Sequence, residues 1–142
     1  MIIYWIEYGR SIAMTDNLYR QGNYTEAKSR ITTAIEIDDE DFVANFWYLR
    51  IAIRLGEYEA ADNAAQKCFQ IEPKLLENLI IPCQNTLLQL HSGTIIDWDS
   101  LDKDTDRWLD YYLHHREFFV GCFRRRGAII GKFCAFRHLL LS

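Results

Sequence analysis

The chain has 142 residues, 49% of them apolar or aromatic, and a net charge of −4. That length suits one domain with a real core, and that composition excludes a disordered chain. Two prolines, seven glycines and little apolar–polar alternation point away from sheets and toward an all-α fold. Charge is uneven: Met1 to Asp106 carries 9 basic and 18 acidic residues, Arg107 to Ser142 carries 7 and 2. A basic end on an acidic body either has its own partner or folds back on that body. The four cysteines, Cys68, Cys83, Cys122 and Cys134, form no paired motif. The start, Met1-Ile-Ile-Tyr-Trp-Ile-Glu, lacks the basic region and cleavage site of a secretory leader. No apolar run reaches the ~20 residues of a membrane span. A reduced, cytoplasmic setting is the expectation.

In chain order, a first helix is expected over Ile2 to Gln21, with Ile6, Ile12 or Ala13, Met14 and Leu18 on its buried side. Gly22 supplies a tight turn, and a second helix follows from Tyr24 to Ile37. The acidic run Asp38 to Asp41 reads as a solvated loop whose acids favour the dipole of the next helix. The third helix, Asp41 to Leu55, is apolar on nearly all sides, so it is either buried on both flanks or presents an apolar groove. Gly56 makes the next turn and a fourth helix runs from Tyr58 to Ile71. These pieces recur at 34 residues: Gly22 falls on Gly56, Tyr24 on Tyr58, Ala27 on Ala61 and Ile37 on Ile71. A period of that length marks a helix–turn–helix repeat.

The segments YRQGNYTEAKSRITTAIEIDD and RLGEYEAADNAAQKCFQIEP resemble the tetratricopeptide repeat family. The resemblance implies antiparallel helix hairpins in a superhelical stack, with additional C-terminal capping helices. It also implies that the first helix of each repeat lines a concave groove. That lining would include Ile12, Asp16, Tyr19 and Arg20 from the first repeat, and Phe46, Arg50, Ile53 and Arg54 from the second. Arg50 and Arg54 lie four apart and share one helix face. Arginine grips a carboxylate with two parallel hydrogen bonds, so the pair suits an acidic group of a partner or an acid nearby in the chain. The lysine–asparagine carboxylate clamp of some family members is not present.

A fifth helix is expected from Pro73 to Leu90, interrupted at Pro82, which removes a backbone hydrogen bond at about 3 kcal/mol unless the helix kinks. A strict third repeat would place its glycine at Leu90, so this unit is a degenerate repeat or a cap. Residues 1–93 form the repeat region on this reading, and 94–142 an acidic loop with basic amphipathic C-terminal helices. Asp102, Asp104 and Asp106 have the spacing of a calcium loop, but Arg107 and Leu113 stand where glycine and glutamate are needed. The preferred reading is a loop closed by Asp104 or Thr105 as a helix cap, with helix from Asp106 to Leu141. Arg124, Arg125 and Arg126 form a candidate basic surface for an acidic protein, a membrane surface or nucleic-acid phosphates.

His115, Cys122, Cys134 and His138 match no compact zinc spacing. The chain contains no phosphate-binding glycine loop, G-x-S-x-G or H-E-x-x-H motif. The expectation is therefore a non-catalytic adaptor or chaperone with no metal or cofactor. It would bind a segment of another protein through Asp16, Tyr19, Arg20, Phe46, Arg50, Ile53 and Arg54. The alternatives are a self-associating structural subunit, or a membrane or nucleic-acid anchor at the basic end.

Overall fold

A computed structural model describes residues 2–115, which form six α-helices and no strand among those residues. They are α1 (Ile2–Arg20), α2 (Tyr24–Ile37), α3 (Phe42–Leu55), α4 (Tyr58–Ile71), α5 (Ile81–His91) and α6 (Trp98–His114). Consecutive helices from α1 to α4 pack on one another, and α1 also meets α3. The connections are a few residues long, so neighbours run antiparallel. Arg124, Arg125, Arg126, Cys122, Cys134, His138 and the remainder of the expected C-terminal helix lie outside the described residues.

Glycine ends the odd-numbered helices for one reason. Gly22 and Gly56 have φ of +82° and +71°, a left-handed conformation that a Cβ disfavours. The chain beyond each folds back on its helix: the Asn23 amide donates to the Leu18 carbonyl, and the Glu57 amide to Ala52. Both closures satisfy carbonyls that the helix end leaves unbonded. The helices that follow, α2 and α4, begin and end 34 residues apart. Their buried residues coincide in the same register, Ala27, Ile31 and Ala34 against Ala61, Ala65 and Cys68. Small side chains on this stripe let neighbouring helices come close.

The core centres on α3. Phe42, Val43, Ala44, Phe46, Trp47, Leu49, Ile51, Ala52 and Ile53 are all buried. An all-round apolar helix is thus covered on all flanks instead of presenting an open apolar groove. Asp41 starts it, with a carboxylate oxygen that accepts from the Ala44 amide and from the Tyr8 hydroxyl. The acidic run thereby supplies a cap whose carboxylate is itself buried and bonded.

Two elements of the repeat region differ from the sequence expectation. Among the described side chains of α1, Tyr8, Ser11, Ile12, Thr15 and Tyr19 are buried, whereas Ile6 and Ala13 are exposed and Met14 and Leu18 half-buried. Polar atoms on that side find partners: Tyr8 donates across to Asp41 at the start of α3, and Thr15 donates to the Ser11 carbonyl at 2.7 Å. The expected fifth helix is three pieces: a 3-10 turn at Pro73–Leu75, a π-helical turn at Leu76–Ile80, then α5. In the wide turn the Ile81 amide donates five residues back, to Leu76. Pro82 follows directly, in the first turn of α5, where its missing N–H costs least. The chain accommodates proline by widening one turn, which keeps Leu75, Leu79, Ile80 and Cys83 buried.

Candidate functional site

The Asp97 to Asp106 stretch is not a loop. Its helix α6 begins at Trp98, with Asp97 as the cap accepting from the Ser100 amide at 3.1 Å. Asp104 and Thr105 are helical, and Thr105 donates to the Leu101 carbonyl. A 34-residue spacing would start this helix at position 92; a turn at Ser92–Gly93 and four non-helical residues, Thr94 to Asp97, delay it to Trp98. Helix α6 then lies against the face of α1 and α3 that carries Tyr19, Arg20, Arg50 and Arg54.

The contact joins apolar packing, with Leu109 and Tyr112 buried and Tyr112 edge-on to Phe42 at 5.2 Å, to a cluster of charges and rings. Asp102 and Asp106 lie one turn apart on α6. Arg54 Nη2 donates to Asp102 Oδ2 at 2.7 Å, and Arg50 Nη2 to Asp102 Oδ1 at 3.2 Å. Arg50 Nη1 reaches Asp106 Oδ1 at 2.8 Å. Arg20 grips Asp106 with both terminal nitrogens, at 2.7 and 2.9 Å, while its Nε meets Asp16 at 2.9 Å. The Tyr19 hydroxyl donates to Asp102 Oδ1 at 2.7 Å and accepts from Arg54 Nε at 3.3 Å. Burial is the chief cause that pushes this hydroxyl up to about 12, so it stays a donor at neutral pH.

The arginines also lie over aromatic rings, Arg50 over the corner where Trp47 and Tyr19 meet edge-to-face with centroids 5.4 Å apart. The Arg50 guanidinium lies 4.5 Å from the Trp47 ring centroid and 4.7 Å from that of Tyr19. The Arg54 guanidinium lies 4.0 Å from the ring centroid of Trp98, in the first turn of α6, and 5.3 Å from that of Tyr24. Such contacts suit a weakly hydrated planar cation better than a compact, strongly hydrated ammonium. Arg50 is 3% exposed. Burial opposes its charge, and the Tyr19 oxygen with the Asp106 and Asp102 carboxylates more than offsets this. Burial likewise pushes the Asp106 carboxyl up, but the Arg20 hydrogen bond and the Arg50 charge outweigh it and hold that carboxyl below the usual aspartate range.

Each residue anticipated for the binding face is accounted for. Phe46 and Ile53 are fully buried, Phe46 stacked on Phe42 at 5.7 Å. Tyr19 and Arg50 are buried beneath α6, and Arg54 is half-buried. Asp16 and Arg20 are the solvent-facing pair, with 47% and 44% of their side chains exposed. The expected open lining is therefore covered, because α6 supplies the acids that its arginines need. Beside it, a cleft of about 380 Å³ remains between α1, α3 and α6, lined in part by Ile12, Asp16, Val43, Trp47, Leu109 and Leu113.

Sequence reading missed Trp98, Asp102 and Asp106 as members of this site. The available signal was the spacing Trp98, Asp102, Thr105, Asp106, Leu109, Tyr112, one face of a helix in which carboxylates occupy inward positions. The calcium spacing has the same origin: Asp102 and Asp106 are bound to guanidinium groups, while Asp104 points outward beside Arg107. Among the described residues no cluster of three His, Cys, Asp or Glu has metal-binding geometry. Cys68 and Cys83 are buried thiols; burial pushes Cys83 up to about 12 and Cys68 well above its ordinary value, which makes both poor nucleophiles. Comparison of the chain with family models, with curated proteins and with solved structures returns no match.

Proposed function

We propose that the chain is a non-catalytic protein-interaction module of tetratricopeptide-like build. On this reading α1/α2 and α3/α4 are two hairpin repeats of a superhelical stack, α1 and α3 form its inner face, and that face binds a helical segment of another protein. The 34-residue register of α2 and α4 and the two glycine closures support the repeat. The observation that carries the function is that Arg50 and Arg54, on successive turns of α3, hold two carboxylates on successive turns of another helix. A face that already grips one helix by its acids is a binding surface in chemistry and in shape. A reduced, cytoplasmic setting suits its two buried free thiols.

The test is capture of partners from native lysate on the wild-type chain and on Arg20→Glu with Arg54→Glu, followed by direct titration of the purified partner. The expected result is one partner at near-stoichiometric recovery, weakened at least tenfold by the arginine changes while far-UV circular dichroism is unchanged. A partner retained equally by both proteins places the binding surface elsewhere and overturns the assignment. A structural-subunit reading rests on Ile3, Leu88 and Ile95, large apolar side chains that stand exposed. It requires a concentration-dependent oligomer in light scattering. Among the described residues no helix is long and apolar enough to cross a membrane.

A further inference from the structure

We infer that α6 is an exchangeable, built-in occupant of this face, and that the partner it stands in for is an acidic amphipathic helix of another protein. That helix would carry an aromatic residue and two carboxylates at successive four-residue steps. The inference rests on the proposed interaction function and names the class of partner.

Three observations carry it. The first is charge. Arg20, Arg50 and Arg54 face Asp16, Asp102 and Asp106, so the cluster is balanced only with α6 in place. Without α6, Asp16 remains for Arg20, and Arg50 and Arg54 lose the carboxylates that they hold. Arginines held in such a setting demand an anion, so an occupant that replaces α6 must bring carboxylates of its own. The second is register. Trp98, Asp102 and Asp106 are spaced by four, so they form one stripe with steps of about 6 Å along the helix. Trp98 meets Arg54, Asp102 meets Arg54 and Arg50, and Asp106 meets Arg50 and Arg20. The face thereby reads spacing as well as charge. The third is attachment. Helix α6 hangs from α5 by the short connection 92–97, in which Ile95 is 96% exposed. Its backbone runs closest to the π-helical turn, and side chains make its contacts with α1 and α3. These are the ion pairs and the buried Leu109 and Tyr112, the latter edge-on to Phe42 at 5.2 Å, so a replacing helix must also bring an apolar stripe.

A short tether gives α6 an effective concentration of roughly millimolar, so a free helix of equal affinity competes poorly and a better one is needed. Room for improvement exists: the buried Arg50 Nε has no hydrogen-bond partner among the described residues. A longer acid or amide on a partner helix would give that donor an acceptor.

The experiment uses the full chain and a fluorescein-labelled synthetic peptide with the sequence of residues 96–115, read by anisotropy. Three proteins are compared: wild type, Asp102→Asn with Asp106→Asn, and Trp98→Ala. Both variants loosen α6, and Trp98→Ala does so with every ion pair kept. The expected result is that each variant binds the peptide at least tenfold tighter than wild type. A peptide with lysine at both aspartate positions should not bind. The double variant should gain helix content or melting temperature on adding the acidic peptide, so a poorly folded variant still reports. The inference is overturned if neither variant distinguishes the acidic from the lysine peptide, which makes α6 a fixed part of the fold. It is equally overturned if concentrated wild type forms a dimer that exchanges α6 between copies, since the occupant is then a second chain. Loss of peptide binding with lysate capture intact sinks this inference alone. Peptide binding with no arginine-dependent partner in lysate sinks the adaptor reading alone.

Discussion

Arg50 carries a full charge with 3% of its surface exposed, and two carboxylates and two rings surround it. Removing it strands Asp102 and Asp106 with fewer cations and opens a hole over the Trp47 and Tyr19 rings. Breaking a buried pair in this way costs about 3–5 kcal/mol, so Arg50→Ala should lower stability by that amount in urea titrations. Arg20, largely solvated, should cost less than about 1 kcal/mol on the same change, although it makes as many ion-pair contacts. Equal losses at both positions would show that burial does not set the value of these pairs. Tyr8 gives a smaller, neutral counterpart. Tyr8→Phe removes one buried hydrogen bond to Asp41 with little change of shape, and should cost about 1–2 kcal/mol.

At the scale of elements, the two glycine turns set where each hairpin reverses. A Cβ at Gly22 or Gly56 would meet nothing within 4 Å, so the whole penalty of a side chain there is backbone strain. Gly22→Ala and Gly56→Ala should each cost about 1–2 kcal/mol, and Gly→Asn distinctly less, because asparagine tolerates the left-handed region. Thermal melts of the four variants check this. If the alanine variants match wild type, the turns are not what holds the hairpins. These turns were legible in the sequence because one constraint, positive φ, selects one residue type, and it recurs at a fixed interval. The body of α3 was legible because burial on all sides leaves an apolar run that no loop would carry. Helix α6 was not, and the reason lies in its own chemistry. Sequence reading treats inward positions as apolar and aspartate clusters as turns. In α6 the inward stripe includes Asp102 and Asp106, whose partners Arg20, Arg50 and Arg54 lie 48 to 86 residues away. Spacing puts Arg50 and Arg54 on one face and Asp102 and Asp106 on another, but it does not say which face meets which, since pairing across elements leaves no trace in the period of either. The π-helical turn before Pro82 was hidden for a related cause: proline announces a lost hydrogen bond, not how the chain absorbs it.

For the whole molecule, α6 is joined to the body by the buried Leu109 and Tyr112 and by the acids Asp102 and Asp106, and the acids make its docking sensitive to pH in one direction. Asp106 has a folded-state pKa below that of an unfolded aspartate, about 3.9. A depressed carboxylate contributes stability that is fully present above its unfolded value and is lost as pH falls through the folded one. Neutral and mildly acidic solutions should therefore leave α6 in place, and undocking should set in below about pH 4. Once Asp106 is protonated, Arg50 and Arg20 lose half of the bridge between α6 and the body, while the apolar contacts within α1 to α4 are untouched by protons. The expected signature is a near-UV circular dichroism change from the Trp98 and Tyr19 environment that precedes loss of far-UV helix signal. Asp106→Asn should show the undocked near-UV spectrum already at pH 6 and a flatter acid titration. Coincident near- and far-UV transitions in wild type, with the same midpoint in Asp106→Asn, would mean that α6 and the body unfold as one unit. In that event the acidic face would serve stability alone, and an exchangeable α6 would lose its physical basis.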